Sequence, residues 1–212
     1  MNYKLIVIFV ITSFVIAFYF YPQMPDMMAS HWNIKGDVDG YMKKQFALFL
    51  FPFLFFILGF LFMLIPKIDP LKDNIKKFSK YYEGFIIIFF LVMYAFYLQM
   101  ILWNINIKIK PNEIFPVVFF ILFYYTSILL EKTKQNWFIG IKTPWTLSDK
   151  RVWEKTHKIG SNLFRVAAVI ALVGIFFENY SIFFVIIPPI FVIIYTFFYS
   201  YFEYKKIKKY KF

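Results

Sequence analysis

Asn136-Trp137-Phe138-Ile139-Gly140-Ile141-Lys142-Thr143-Pro144-Trp145-Thr146-Leu147-Ser148, continuing through Trp153 to Thr156-His157-Lys158-Ile159-Gly160, is the longest polar interruption in a sequence otherwise built from apolar runs. Three Trp, one of the two His and seven basic residues fall between Lys132 and Lys158. What lies on either side decides the fold. The flanking runs are uncharged or nearly so and long enough to cross a bilayer, so the stretch is a polar segment held at a membrane surface.

The composition agrees. Hydrophobic residues make up 61% of 212 positions and the mean hydropathy is +0.62, far from soluble-domain averages, which makes this an integral membrane protein. The chain has no Cys, which excludes a disulfide framework, a thiolate metal site and a cysteine nucleophile. A net charge of +12 raises the question of nucleic acid. Basic residues set between long apolar runs report membrane orientation instead, so no direct nucleic-acid partner is expected.

Working outward to the N-terminus, Leu5 to Tyr21 reads as a first span. Its end, Ala17-Phe-Tyr-Phe-Tyr-Pro22, is too bulky for a signal-peptidase site, so the run is expected to be retained. Residues 22–45 form a polar segment with Asp26, His31, Trp32, Asn33, Asp37 and Asp39. In it, Gly36 and Gly40 beside Asp predict tight turns. Phe46 to Pro66 is the second run, followed by a Lys-rich link to Lys80; Gly84 to Ile107 is the third and Ile114 to Leu130 the fourth. Beyond the central stretch, a fifth span from Ile159 to Phe177 admits Arg165, expected to snorkel to the interface. Asn179 to Phe202 is the sixth, with Pro188-Pro189 predicted to kink it, and a tail of five Lys follows that suits anionic lipid headgroups.

These runs predict an all-α integral membrane protein with six transmembrane helices. Alternate segments then sort the charges. Lys4, the five Lys of 67–80, the seven basic residues of 132–158, Arg165 and the five tail Lys share one side, nineteen of the 24 basic residues. The positive-inside rule places that side, with both termini, in the cytoplasm.

Within the polar segments, His31 with Asp26, Asp37 and Asp39 has the ingredients of a cation or proton-responsive site. The competing reading is a folded turn whose Asp side chains bond their own backbone, and the spacing lacks the oxygen set of a calcium loop. No metal site is expected, and His157 lies on the opposite side from His31. Ser148-Asp149 reads as a helix start. From there Val152, Trp153, Thr156, Ile159, Gly160, Leu163 and Phe164 recur at helical spacing, with His157 on or beside that face. Trp137 and Trp103 suit an interfacial belt, whereas Trp145 and Trp153 read equally as a structural plug or a partner-binding surface. Phosphate-loop, zincin and serine-elbow motifs are lacking, so neither an enzyme nor a cofactor is expected.

Three blocks resemble one family. Residues 22–44, with a His-Trp-Asn core and a Gly-Asp-x-Asp-Gly-Tyr turn, resemble the DUF1648 domain. Ile65-Pro66-Lys67-Ile68-Asp69-Pro70 with Asn74-Ile75, Phe78 and Tyr81-Tyr82 is similar to that family's first cytoplasmic loop. Asn136-x-Phe138-x-Gly140-Ile141-Lys142-Thr143-Pro144-Trp145-Thr146-Leu147, then Val152-Trp153 and Thr156-His157, resembles the signature of the SdpI immunity proteins. Position 142, usually Arg in that signature, is Lys here, which keeps the charge but loses the planar fork.

The resemblance implies a DUF1648-like region over 1–66 and an SdpI-like region over 67–212. It also implies protection from a secreted toxic peptide, and a signalling role in which a transcriptional repressor is held at the membrane. Under that reading Asp26, His31, Trp32, Asn33, Asp37 and Asp39 are candidates to meet the peptide. Asn136, Gly140, Lys142, Thr143, Pro144, Trp145, Trp153, Thr156 and His157 form the candidate cytoplasmic motif. The alternative is a small ion-coupled or solute transporter, although the broken helices of the two halves do not correspond.

Overall fold

In the computed structural model, which describes residues 3–209, all six apolar runs are helices long and apolar enough to span a bilayer. They are α1 (Lys4–Phe20), α2 (Lys44–Ile68), α4 (Ser79–Asn104), α5 (Pro111–Lys132), α7 (Lys150–Val173) and α8 (Ser181–Lys209). Two short helices, α3 (Lys72–Lys76) and α6 (Pro144–Ser148), lie in the links. The chain is a six-span membrane protein. Pro52 lies inside α2, and Pro188 and Pro189 lie inside α8, which continues through them although neither proline has an N–H to offer the helix. Of the five tail Lys, Lys211 lies outside the described residues.

Because lipid is as apolar as the side chains it surrounds, these helices associate through close packing and buried polar contacts. Tyr94 Oη donates to the Phe9 carbonyl at 2.6 Å and Tyr97 Oη to the Leu48 carbonyl at 3.0 Å, joining α4 to α1 and α2. Ala167, Ala168 and Ala171 give α7 a small-residue face that packs with Phe123 of α5 and with Val185 and Val192 of α8. Phe56, Ile57, Ile193 and Phe198 point outward, as lipid-facing residues should.

The fifth helix starts at Lys150, where Ser148-Asp149 marks its beginning in the sequence, and its cap is Asp149, whose carboxylate accepts the Arg151 N–H at 2.8 Å. Ser148, expected to cap, instead closes α6 and donates to the Trp145 carbonyl at 3.2 Å. Asp wins because its charge suits the positive helix end. Arg165 does not simply snorkel; its guanidinium pairs with Glu131 at the end of α5.

The segment between α1 and α2 adds a two-stranded antiparallel hairpin, β1 (Met27–Trp32) and β2 (Val38–Lys43). Gly36 makes the expected turn at φ +79°, with Asn33 Oδ1 accepting the Lys35 and Asp37 amides. Gly40 does not turn. It sits in β2 opposite His31, where a Cβ would fall 2.8 Å from the His31 side chain. Asn104 pins β1 to α4 by exchanging two bonds with the Ala29 backbone, at 2.8 and 2.9 Å.

Candidate functional site

At the lysine-rich end the segment after α5 folds onto the helices through side-chain bonds to its own backbone. Asn136 is fully buried. Its Oδ1 accepts the Phe138 and Ile139 amides and its Nδ2 donates to the Lys134 and Ile139 carbonyls, so one amide side chain holds the whole turn. Gly140 follows at φ +118°, and a Cβ there would lie 2.4 Å from His157 Nε2. Only glycine fits that backbone and that space. The freed room lets His157 Nε2 accept the Ile141 N–H at 2.9 Å.

His157 is fixed from behind as well. Its Nδ1 lies 2.8 Å from the Trp153 carbonyl, and the Trp153 ring stacks on it with centroids 3.9 Å apart. Trp153 is fully buried and donates its indole N–H to the Thr133 carbonyl at 3.3 Å. Spacing of four along α7 puts the two rings on one face. Thr143 and Thr146 then form a reciprocal cap for α6, opened by Pro144, and the Thr143 hydroxyl meets Ser200 of α8 at 3.0 Å. Trp145 packs half-buried on Phe197 and Tyr201 of the same helix. Thr156 is buried with its hydroxyl unpartnered, whereas Lys142 is exposed.

The first loop completes this end, through residues that reading the segment alone does not single out. Asp69 is 2% exposed, and its carboxylate accepts the Leu71 amide at 2.6 Å and the Trp137 amide at 2.9 Å. Asn74 donates to the Gln135 carbonyl, and Gln135 donates to the carbonyls of Thr146 and Leu147. The available signal was an acidic residue between apolar Ile68 and Pro70, directly after a span. Beneath the motif lies a cavity of about 530 Å³, walled by α2, α4, α5, α7 and α8 and roofed by residues 138–143. Its lining is apolar apart from threonines, Tyr82 and one cation, Lys142.

At the hairpin end the candidate residues divide. His31 Nδ1 and Asp39 Oδ1 lie 2.5 Å apart, but Asp26 pairs with Lys44 at 3.1 Å and Asp37 is engaged through its backbone by Asn33. Among the described residues no three His, Asp or Glu gather as a metal cluster. What the hairpin forms is a cavity of about 620 Å³ with the starts of α5 and α8, lined by His31, Trp32, Asn33, Asp39, Asn112 and Phe115 among others. Asn112 ties its walls by donating to the Ile34 and Glu178 carbonyls, both at 2.9 Å. Trp32 packs edge-on to Trp103, and its indole N–H is buried without an acceptor.

The fold and these two ends define a class: a six-span membrane protein with a small hairpin at one end and a self-bonded polar motif at the other. Comparison with known proteins gives two family matches and a full-length relative. Residues 8–56 match a domain of unknown function (DUF1648), and residues 132–200 match the SdpI/YfhL protein family. Over 202 residues, 95% of each chain, the sequence is 22% identical to Immunity protein SdpI of Bacillus subtilis (strain 168). The chain is thus similar to the SdpI/YfhL family over residues 132–200 and to DUF1648 over residues 8–56, and it is a multi-pass cell-membrane protein. No solved structure matches it.

Proposed function

We propose that the protein protects its cell from a secreted, membrane-active toxic peptide by meeting it at the hairpin-end cavity, without enzymatic chemistry. The observation that carries this reading is the unpartnered Trp32 indole N–H in the wall of that cavity, beside the His31–Asp39 pair. A buried donor lacking an acceptor costs free energy until something supplies one, and a peptide carbonyl is such a group. The skew of basic residues supports placing the hairpin end outside the cell, where an arriving peptide would reach it first. Supporting the immunity role itself is the printed name of the Bacillus subtilis relative.

The same reading gives the opposite end a signalling role, in which a soluble repressor is held at the cytoplasmic face. Its surface would be Lys142 with Trp137 and Phe138, which are exposed at 52% and 38% on a loop held rigid by Asn136 and Asp69. Trp153, Thr156 and His157 are buried and hold that surface up from beneath. A carrier reading draws less support, since the central cavity offers no carboxylate to coordinate an ion.

The test is survival of a sensitive cell challenged with a hydrophobic membrane-active peptide, with and without this protein at verified expression. Protection should appear against such a peptide and not against small ionic toxins. Equal killing in both cells overturns the proposal.

A further inference from the structure

We infer that a second site, between α5 and α7 at the lysine-rich end, binds the phosphate headgroup of an anionic lipid. A cavity of about 330 Å³ there is lined by Glu131, Lys134, Glu154, Lys158, Ser161 and Arg165, with Leu130 on its wall. Its charges are unevenly committed. Glu131 is already met by Lys132 and Arg165, and Glu154 lies 4.0 Å from Lys150. Lys134 and Lys158 take part in no ion pair among the described residues, so two ammonium groups face the cavity uncompensated.

The second observation is independent of charge. Ser161 is 1% exposed and lines the cavity, yet its hydroxyl has no partner. A helical serine normally returns its hydroxyl to a carbonyl one turn back. An orphaned donor at the base of a basic pocket suits a phosphate oxygen, which accepts from cations and hydroxyls together. The source of that phosphate follows from position. Val166, Val169 and Ile170 continue along α7 as an exposed apolar stripe directly beyond Arg165. A headgroup seated on Lys134 and Lys158 would lay its acyl chains along that stripe, and basic pockets between spans bind anionic lipids in this way.

The inference stands apart from immunity and is tested without a toxin. Full-length protein in mild detergent is examined by native mass spectrometry after exposure to phosphatidylglycerol or phosphatidylcholine. Wild type should retain one phosphatidylglycerol, and Lys134→Gln/Lys158→Gln should lower that retention about tenfold, a loss equivalent to ~1.4 kcal/mol. Ser161→Ala should lower it less, while Lys72→Gln/Lys80→Gln, exposed and outside the pocket, should leave it unchanged. A thermal melt of each variant verifies its fold. Equal retention of phosphatidylcholine, or loss in the Lys72/Lys80 variant but not in the pocket variant, overturns the inference. So does displacement by millimolar inorganic phosphate at fixed ionic strength, which would assign the pocket to free phosphate.

Discussion

His157 accepts the backbone N–H of Ile141 through Nε2 at 2.9 Å, and the space for that bond exists because residue 140 has no Cβ. The bond to Ile141 and the contact of Nδ1 with the Trp153 carbonyl together fix a neutral ring with its proton on Nδ1. The imidazole is thus a brace between loop and helix. His157→Ala orphans the Ile141 amide and should cost about 1–3 kcal/mol. Gly140→Ala adds a Cβ where the ring stands, on a backbone that side chains rarely adopt, and should cost more than about 1 kcal/mol. In the double variant the clash is relieved while the strain remains, so thermal melts in detergent should show a combined cost below the sum. Simple additivity would mean the two residues do not share one site.

Trp153 has its ring fully buried and its N–H committed to Thr133. Trp153→Ala should therefore destabilise by about 3–5 kcal/mol, the range for deleting a large buried aromatic. An unchanged melt would show that the ring is not core, and binding would become its better explanation.

The helix cap gives a pH dependence. Asp149 is held at about 2, below its ordinary 3.8, chiefly by the hydrogen bond from the Arg151 side chain. Since the folded carboxylate resists protonation, its contribution is complete above the ordinary value and is lost as pH falls through about 2. The difference in melting temperature between wild type and Arg151→Gln should stay constant from neutral pH down to roughly 4 and then shrink toward 2. A gap that persists at the acid end would detach the stabilisation from Asp149.

The spans were legible because an uncharged run of some twenty residues has few other uses. The buried stripe Val152, Trp153, Thr156 and Gly160 was legible for a related reason, since its period survives whatever packs on it. The hairpin was not. Its ladder is irregular on both sides of His31, so strict alternation fails where a strand reading would look for it. Nor could Asp69 be joined to Trp137 from spacing alone, because that bond spans three helices' worth of chain and depends on the packing between them. The Thr143–Thr146 cap, by contrast, is local, and its Thr-Pro-Trp-Thr sequence announces a turn.

Orientation rests on the distribution of Lys and Arg. Reporter fusions after Lys80 and after Lys150 should be cytoplasmic, and those near Gly36 and Lys110 should be outside. An externally accessible tag at position 150 would reverse the protein and remove the ground for repressor recruitment at that end.

The central claim is tested most directly by measuring peptide-challenge survival with substitutions divided between the two ends, at matched protein levels. His31→Ala, Trp32→Phe and Asp39→Asn change groups that line the hairpin-end cavity, and Trp32→Phe removes the orphaned N–H while keeping an aromatic ring. These should lower protection while membrane expression stays normal. Lys142→Gln, exposed at the other end, should leave survival intact while weakening any repressor retention. The account is contradicted if all hairpin-end variants protect as well as wild type, or if protection is lost only in step with protein level.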